Sequence, residues 1–264
     1  MPIFFGFFGT NINPLNENIK HREEIKLHPE WNRIYGPGHT YWTGALQDGL
    51  DRGPHPYYCP VGWKRYSLYV ADNFREKFSG WCVCYHGTKF QYGLSILTSG
   101  LKPANAAEHG QGSYFSPSII YACHPRYSEI KPVLPEHQNV FGKSAKYIQF
   151  VLECRVRPQN IIIGCETFHI ENTTIDHNIP NNVLEWIVNT GDKIILDFAD
   201  LNATVVCTGL MVRVTNNHPY FFSESQWWQK TCRCNNNFHC AWNADRDDLE
   251  KQKANGATCI VVLN

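Results

Sequence analysis

From Trp63 to Val214 the chain breaks into short runs rich in Val, Ile, Cys and aromatic residues, and only one stretch carries clear helical spacing. Trp63-Lys64-Arg65-Tyr66-Ser67-Leu68-Tyr69-Val70 alternates apolar and polar side chains as a half-buried strand does. Trp81-Cys82-Val83-Cys84-Tyr85 reads as a second short strand, and further strands are expected over 146–156, 184–188, 193–197 and 204–214, several of them rich in Val and Ile. Tyr92, Ile96 and Leu97 predict a short amphipathic helix over 90–99, with Gly100 where a cap residue belongs. Many short strands with few short helices imply an α+β fold on a mostly antiparallel sheet.

A chain of 264 residues that is 43% hydrophobic can bury one sizeable core with decorations at both ends. Residues 1–56 hold Pro14, Pro29, Pro37, Pro54 and the breaker Gly36-Pro37-Gly38, and read as an irregular N-terminal arm. Residues 57–214 form the central domain. Residues 215–264 read as a small Cys/Trp-rich extension packed on it, with Trp227-Trp228, the cysteines 232, 234 and 240, a helix-like charged run over 245–253, and a final apolar stretch over 259–263 able to return as an edge strand.

Charge removes candidates rather than naming one. Lys plus Arg and Asp plus Glu number 24 each, so there is no net pull toward nucleic acid or anionic lipid. The apolar start Ile3-Phe4-Phe5-Gly6-Phe7-Phe8 has no basic leading segment, and no later apolar run approaches the ~20 residues that cross a bilayer. Eleven cysteines, an odd number scattered through expected strands, fit reduced thiols. A soluble intracellular protein, cytoplasmic or nuclear, is expected.

Three stretches carry chemistry. Tyr85-His86-Gly87-Thr88 lies where a strand ends and a helix begins; His86 can hydrogen-bond a ligand hydroxyl and Gly87 can offer bare backbone, although a histidine there can equally be structural. In Gly110-Gln111-Gly112-Ser113-Tyr114-Phe115-Ser116-Pro117-Ser118-Ile119-Ile120-Tyr121, the glycines free a loop, Ser118 offers a hydroxyl and Tyr121 a ring face. The competing reading is a strand, a Pro turn and a short helix with core tyrosines. In Asn182-Val183-Leu184-Glu185-Trp186-Ile187-Val188 one carboxylate sits among apolar residues, where it costs free energy unless paired or used; the alternative is a strand-edge Glu185 facing solvent.

Taken in order, His86-Gly87-Thr88, then Tyr114-Phe115 with Ser118 and Tyr121, then Glu185, resemble the motifs of poly(ADP-ribose) polymerase-type, or diphtheria-toxin-like, ADP-ribosyltransferases. The resemblance runs from about Trp63 to Val214. The segments 81–88, 114–122, 184–188 and 209–213 look most like the transferase-like C-terminal region of some Neuralized-type proteins, and no Neuralized repeat is present. The resemblance implies a split, mostly antiparallel ADP-ribosyltransferase-like sheet and NAD⁺ as a substrate. It also implies transfer of ADP-ribose to a protein acceptor, as mono-ADP-ribosylation, because nothing marks a second ADP-ribose site.

Residue by residue, it assigns His86 to ribose, Gly87 and Ser118 to the carboxamide, Tyr121 to stacking on nicotinamide, and Tyr114 to the opposite wall, with Thr88 completing the strand-end motif. Glu185 would stabilise the oxocarbenium-like cation that forms as nicotinamide leaves. The Tyr114-to-Tyr121 spacing is shorter than in the polymerases, and between Gly100 and Gly112 only Lys102 is cationic.

Other classes stay in view. A non-enzymatic interaction module could keep the fold without the reaction, and ADP-ribosylation of nucleic acid would require a basic channel beside the pocket. Arg155, Arg157 and Arg213 read as structural strand residues instead, and Trp227 and Trp228 as core. Cys232, Cys234 and Cys240 have poor spacing for structural zinc, so no metal is assigned. Glu166, His169, Glu171, Asp176 and His177 mark the segment before Glu185 as either an acceptor-side border or a solvated loop.

Overall fold

Where a strand is buried on both faces, its residues divide between two apolar layers, and the central strands here do so. The computed structural model describes residues 25–36, 50–55, 57–104, 109–164, 166–168, 170–188 and 203–231. Among the described residues, strands run over β1 (Arg33–Tyr35), β2 (Trp63–Ser67), β3 (Cys82–Gly87), β4 (Ser113–Phe115), β5 (Lys131–Pro132), β6 (Tyr147–Val156), β7 (Ile161–Ile163), β8 (Trp186–Val188) and β9 (Val205–Thr215). Helices are α1 (Phe74–Lys77), α2 (Phe90–Ser99), α3 (Ile119–Ala122), α4 (Gln138–Phe141) and α5 (Trp228–Thr231). This is the expected mixed α+β class, with antiparallel pairing throughout and short helices.

The main sheet has the order β1-β2-β9-β6-β3, with β5 added beside β6, and a three-stranded sheet has the order β4-β8-β7. One rung joins them among the described residues: Tyr85 N–H donates to the Ser116 carbonyl at 2.8 Å and Ser116 N–H to the Tyr85 carbonyl at 2.9 Å. Along β3, Cys82 and Cys84 belong to one apolar cluster and Tyr85 to the other. Along β6, Phe150 and Leu152 alternate with Val151 in the same way, as side chains on opposite faces of a pleated strand must. Phe115, Trp186 and Val188 of the small sheet join the first cluster, so apolar contact reinforces the single rung.

Several expectations hold and some change. Gly100 closes α2 at a φ of 86°, its N–H bonded to the Ile96 carbonyl. The inward set of β2 is Trp63, Arg65 and Ser67. The buried Arg65 is matched by Glu153, Nε to Oε1 at 2.8 Å, and by the carbonyls of Trp31 and Thr208. Part of the stretch read as an irregular arm is ordered sheet: Arg33–Tyr35 pairs with β2, and Leu27 bridges Leu68. Trp227 and Trp228 are buried in the second cluster. The strand expected at 193–197, the helix-like run at 245–253, the final apolar stretch and Cys232, Cys234 and Cys240 lie outside the described residues. Among the described residues no helix is long and apolar enough to cross a membrane.

Candidate functional site

The seam between the two sheets holds His86, Gly87 and Tyr114, while Ser118 caps and Tyr121 lies on the short helix that packs against β3 at Gly87. Tyr85 commits both backbone groups to Ser116, and donors and acceptors alternate along an antiparallel strand. The backbone groups of His86 therefore face β6 and those of Gly87 face the β4 side. In a continued ladder the Tyr114 carbonyl would be next in line for the Gly87 N–H. Instead it lies 2.8 Å from His86 Nδ1. A carbonyl can only accept, so Nδ1 carries the proton and donates. Burial lowers the His86 pKa below the usual histidine value, the bond to Tyr114 opposing it, and the ring is neutral near pH 7 with its lone pair on Nε2. The imidazole also packs on Phe115, ring centroids 5.4 Å apart.

Tyr114 is held at its far end. Its hydroxyl accepts from the His109 N–H at 3.1 Å and donates to the Gly110 carbonyl at 3.0 Å, pinning the loop that leads into β4. The two neighbouring glycines are required by packing. A Cβ on Gly87 would lie 2.1 Å from the Ala122 carbonyl oxygen, and one on Gly112 would lie 2.7 Å from Ile187 Cγ2. Gly87 thus lets the end of α3 settle on β3. Thr88 beside it is buried.

Ser118 caps α3: its Oγ accepts from Tyr121 N–H at 3.4 Å and donates to Asp176 Oδ2 at 2.5 Å. Tyr121 is only 5% exposed. Its ring lies parallel to that of Trp227, centroids 6.0 Å apart, and edge-on to Phe168. Burial drives its hydroxyl pKa strongly up, so the phenol stays protonated and donates to Glu185 Oε2 at 2.6 Å.

Glu185 sits between the 3₁₀ turn Asn181–Val183 and β8, and at 2% exposure it does not face solvent. The cost of that burial is offset by three hydrogen bonds. Besides Tyr121, the Thr167 N–H reaches Oε2 at 3.0 Å and the Thr167 hydroxyl reaches Oε1 at 2.7 Å.

The chain therefore joins His86 to Tyr114, and joins Ser118, Tyr121 and Glu185 through α3, while His86 and Glu185 share no hydrogen bond. Sequence reasoning missed Thr167, which holds Glu185, and placed Asp176 on an acceptor-side border or solvated loop without pairing it with Ser118. It also missed Tyr127, whose ring lies 5.9 Å from that of Tyr121 and whose hydroxyl pKa burial pushes up to about 12. Among the described residues no group of three His, Cys, Asp or Glu side chains is arranged to hold a metal. A separate cavity of about 410 Å³, lined by His28, Trp31, Tyr69 and Phe74 among others, contains none of these residues. No protein-family model matches the chain, and a search of curated proteins finds no match to it.

Proposed function

We propose that this chain is an ADP-ribosyltransferase that cleaves the nicotinamide–ribose bond of NAD⁺ and transfers one ADP-ribose unit to a protein acceptor. The observation that carries the reading is Glu185: a carboxyl group buried at the head of β8 and oriented by three donors, in a sheet whose next strand presents Tyr114 bonded to His86. Such a group, fixed before the reaction, stabilises a developing ribosyl cation without reorganising.

In this reading His86 Nε2 accepts from a ribose hydroxyl, its tautomer fixed by Tyr114. The Gly87 backbone and Ser118 orient the carboxamide. Tyr114 and Tyr121 flank the nicotinamide ring, and Tyr121 also positions Glu185 through its hydroxyl. Thr88, buried next to Gly87, completes the strand-end motif. The test is incubation with NAD⁺ labelled in the adenylate, following free nicotinamide and labelled protein together. Glu185→Gln should keep NAD⁺ binding and lose at least ~10²-fold in nicotinamide release, the scale of one electrostatic stabiliser; an inert wild type overturns the reading.

A second reading, a non-enzymatic interaction module that retains the fold, rests on how fully the same residues serve packing. The Cα of Gly87 is covered by Ala122, and one face of Tyr121 by Trp227. It expects no heat of binding on titration with NAD⁺, whereas the transferase reading expects saturable binding by wild type and by Glu185→Gln alike.

A further inference from the structure

The cavity of about 410 Å³ is lined from β2 through α1, shares no residue with the site above, and has the size of a small-ligand pocket, about 300–1,000 Å³. Four rings line it: His28, Trp31, Tyr69 and Phe74. All four are half-buried, unlike Trp63, Trp186 and Trp228, which are sealed in the core, so each keeps surface that the core does not use. His28 links two of the others. Its ring is parallel to that of Tyr69, centroids 6.1 Å apart, and edge-on to that of Trp31 at 6.2 Å.

The charges around these rings select the ligand. Asp72 and Glu76 bring two exposed carboxylates to the lining, and the Tyr69 hydroxyl donates to Asp72 Oδ1, fixing that carboxylate beside the ring. Arg65 also lines the cavity, but Glu153 neutralises it at 2.8 Å, and the carbonyls of Trp31 and Thr208 take further N–H groups. Arg75 is placed differently. Its guanidinium lies 5.5 Å from the Trp31 ring centroid, and that of Arg33 lies 6.0 Å from it. These separations fall within the ~6 Å over which a cation is drawn to an aromatic face. Trp31 thus already attracts cations of the chain itself, from exposed side chains that water could solvate instead.

We propose that this cavity is a recognition site for an alkylated ammonium group, as in choline or a methylated lysine, and that Arg75 is the internal occupant it displaces. Alkylation spreads the positive charge over an apolar surface, so the group is weakly hydrated and gains from several rings at once, while Asp72 and Glu76 balance its charge. A primary ammonium keeps three N–H donors, which ring faces leave unsatisfied. Arg75 is exposed and is solvated again on leaving.

The experiment titrates the full chain with choline and with its neutral analogue, in which carbon replaces the nitrogen, following tryptophan fluorescence and heat. No NAD⁺ is present, so the outcome is independent of the transferase reading. Choline should saturate the site at concentrations where the carbon analogue does not. Trp31→Ala should weaken choline roughly tenfold, and Arg75→Ala, a change at an exposed position, should tighten it about threefold. Asp72→Asn should weaken it and flatten its salt dependence. A peptide carrying one trimethyllysine distinguishes the source: binding tighter than choline assigns the side chain of a partner protein, and binding weaker than choline assigns a free small molecule. Equal binding of choline and its carbon analogue, or no saturation by either choline or the peptide, overturns the proposal. So does a loss of choline affinity in Arg75→Ala.

Discussion

Acidification should unfold this protein through two buried histidines. His124 Nδ1 accepts the Arg126 N–H at 3.1 Å while Nε2 pairs with Thr231 Oγ1 at 2.8 Å, inside a box formed by Phe168, Trp227 and Trp228. His218 Nδ1 accepts the Tyr220 N–H at 3.2 Å. Each ring must keep a lone pair on Nδ1, and burial pushes the pKa of His124 down to about 3 and that of His218 down to about 4, the charges of Arg126 and Arg213 respectively adding to the effect. In the unfolded chain both titrate near 6.5. The unfolded state therefore binds more protons as pH falls below about 6.5. Stability is fully present above that value and is lost progressively down to about 4 for His218 and about 3 for His124. At about pH 5 the loss is ~2 kcal/mol for each, or ~4 kcal/mol together, a large share of the stability of an ordinary domain. Urea unfolding of wild type, His124→Phe and His218→Asn at about pH 7 and about pH 5 measures it. Each variant should remove ~2 kcal/mol of the pH-dependent loss, whatever its effect at neutral pH. Variants with the same pH dependence as wild type would refute the assignment.

Three further perturbations follow from the packing. Gly87→Ala puts a Cβ on the Ala122 carbonyl oxygen and should cost about 3 kcal/mol or more in chemical denaturation; a neutral substitution would mean that α3 does not lie against β3. Arg65→Met leaves Glu153 buried without its cation and should cost ~3–5 kcal/mol, whereas the double variant Arg65→Met/Glu153→Leu should recover most of it, a pattern read from unfolding midpoints. Tyr121→Phe removes one of the three donors to Glu185. It should lower stability by about 1–2 kcal/mol and depress nicotinamide release in the labelled NAD⁺ assay; unchanged stability would argue against the Tyr121–Glu185 bond.

Local patterns carried much of the fold. β3, β6 and β9 announce themselves because a strand covered on both faces needs apolar residues throughout, and α2 because its spacing and Gly100 agree. The segment 110–121 reads correctly as strand, Pro turn and short helix. β1 and β7 have three residues each and no room for periodicity; Arg33-Ile34-Tyr35 is a strand because β2 offers it a partner, which no local signal reveals. For the candidate site, the ordered motifs located His86, Tyr114, Ser118, Tyr121 and Glu185, while their bonding was not readable. Asp176 lies 58 residues from Ser118 and Thr167 lies 18 from Glu185, with no spacing rule linking either pair. The choice between a solvated and a buried Glu185 also depended on Thr167, since the strand pattern at 184–188 is the same in both cases.

The junction between the two sheets gives the molecule an uneven response to its surroundings. Inside the main sheet, cohesion comes from long antiparallel ladders. Across the seam it comes from one rung, from the His86–Tyr114 hydrogen bond with its ring contact to Phe115, and from Phe115, Trp186 and Val188 meeting the first apolar cluster. Apolar contact weakens on cooling and in urea, so chilling or mild chaotrope should part the small sheet from the large one before either sheet frays. Amide exchange at Tyr85 and Ser116 would quicken first, while β6 and β9 stayed protected. Among the described residues, the seam carrying His86 and Tyr114 should then open before the ladders of the main sheet do.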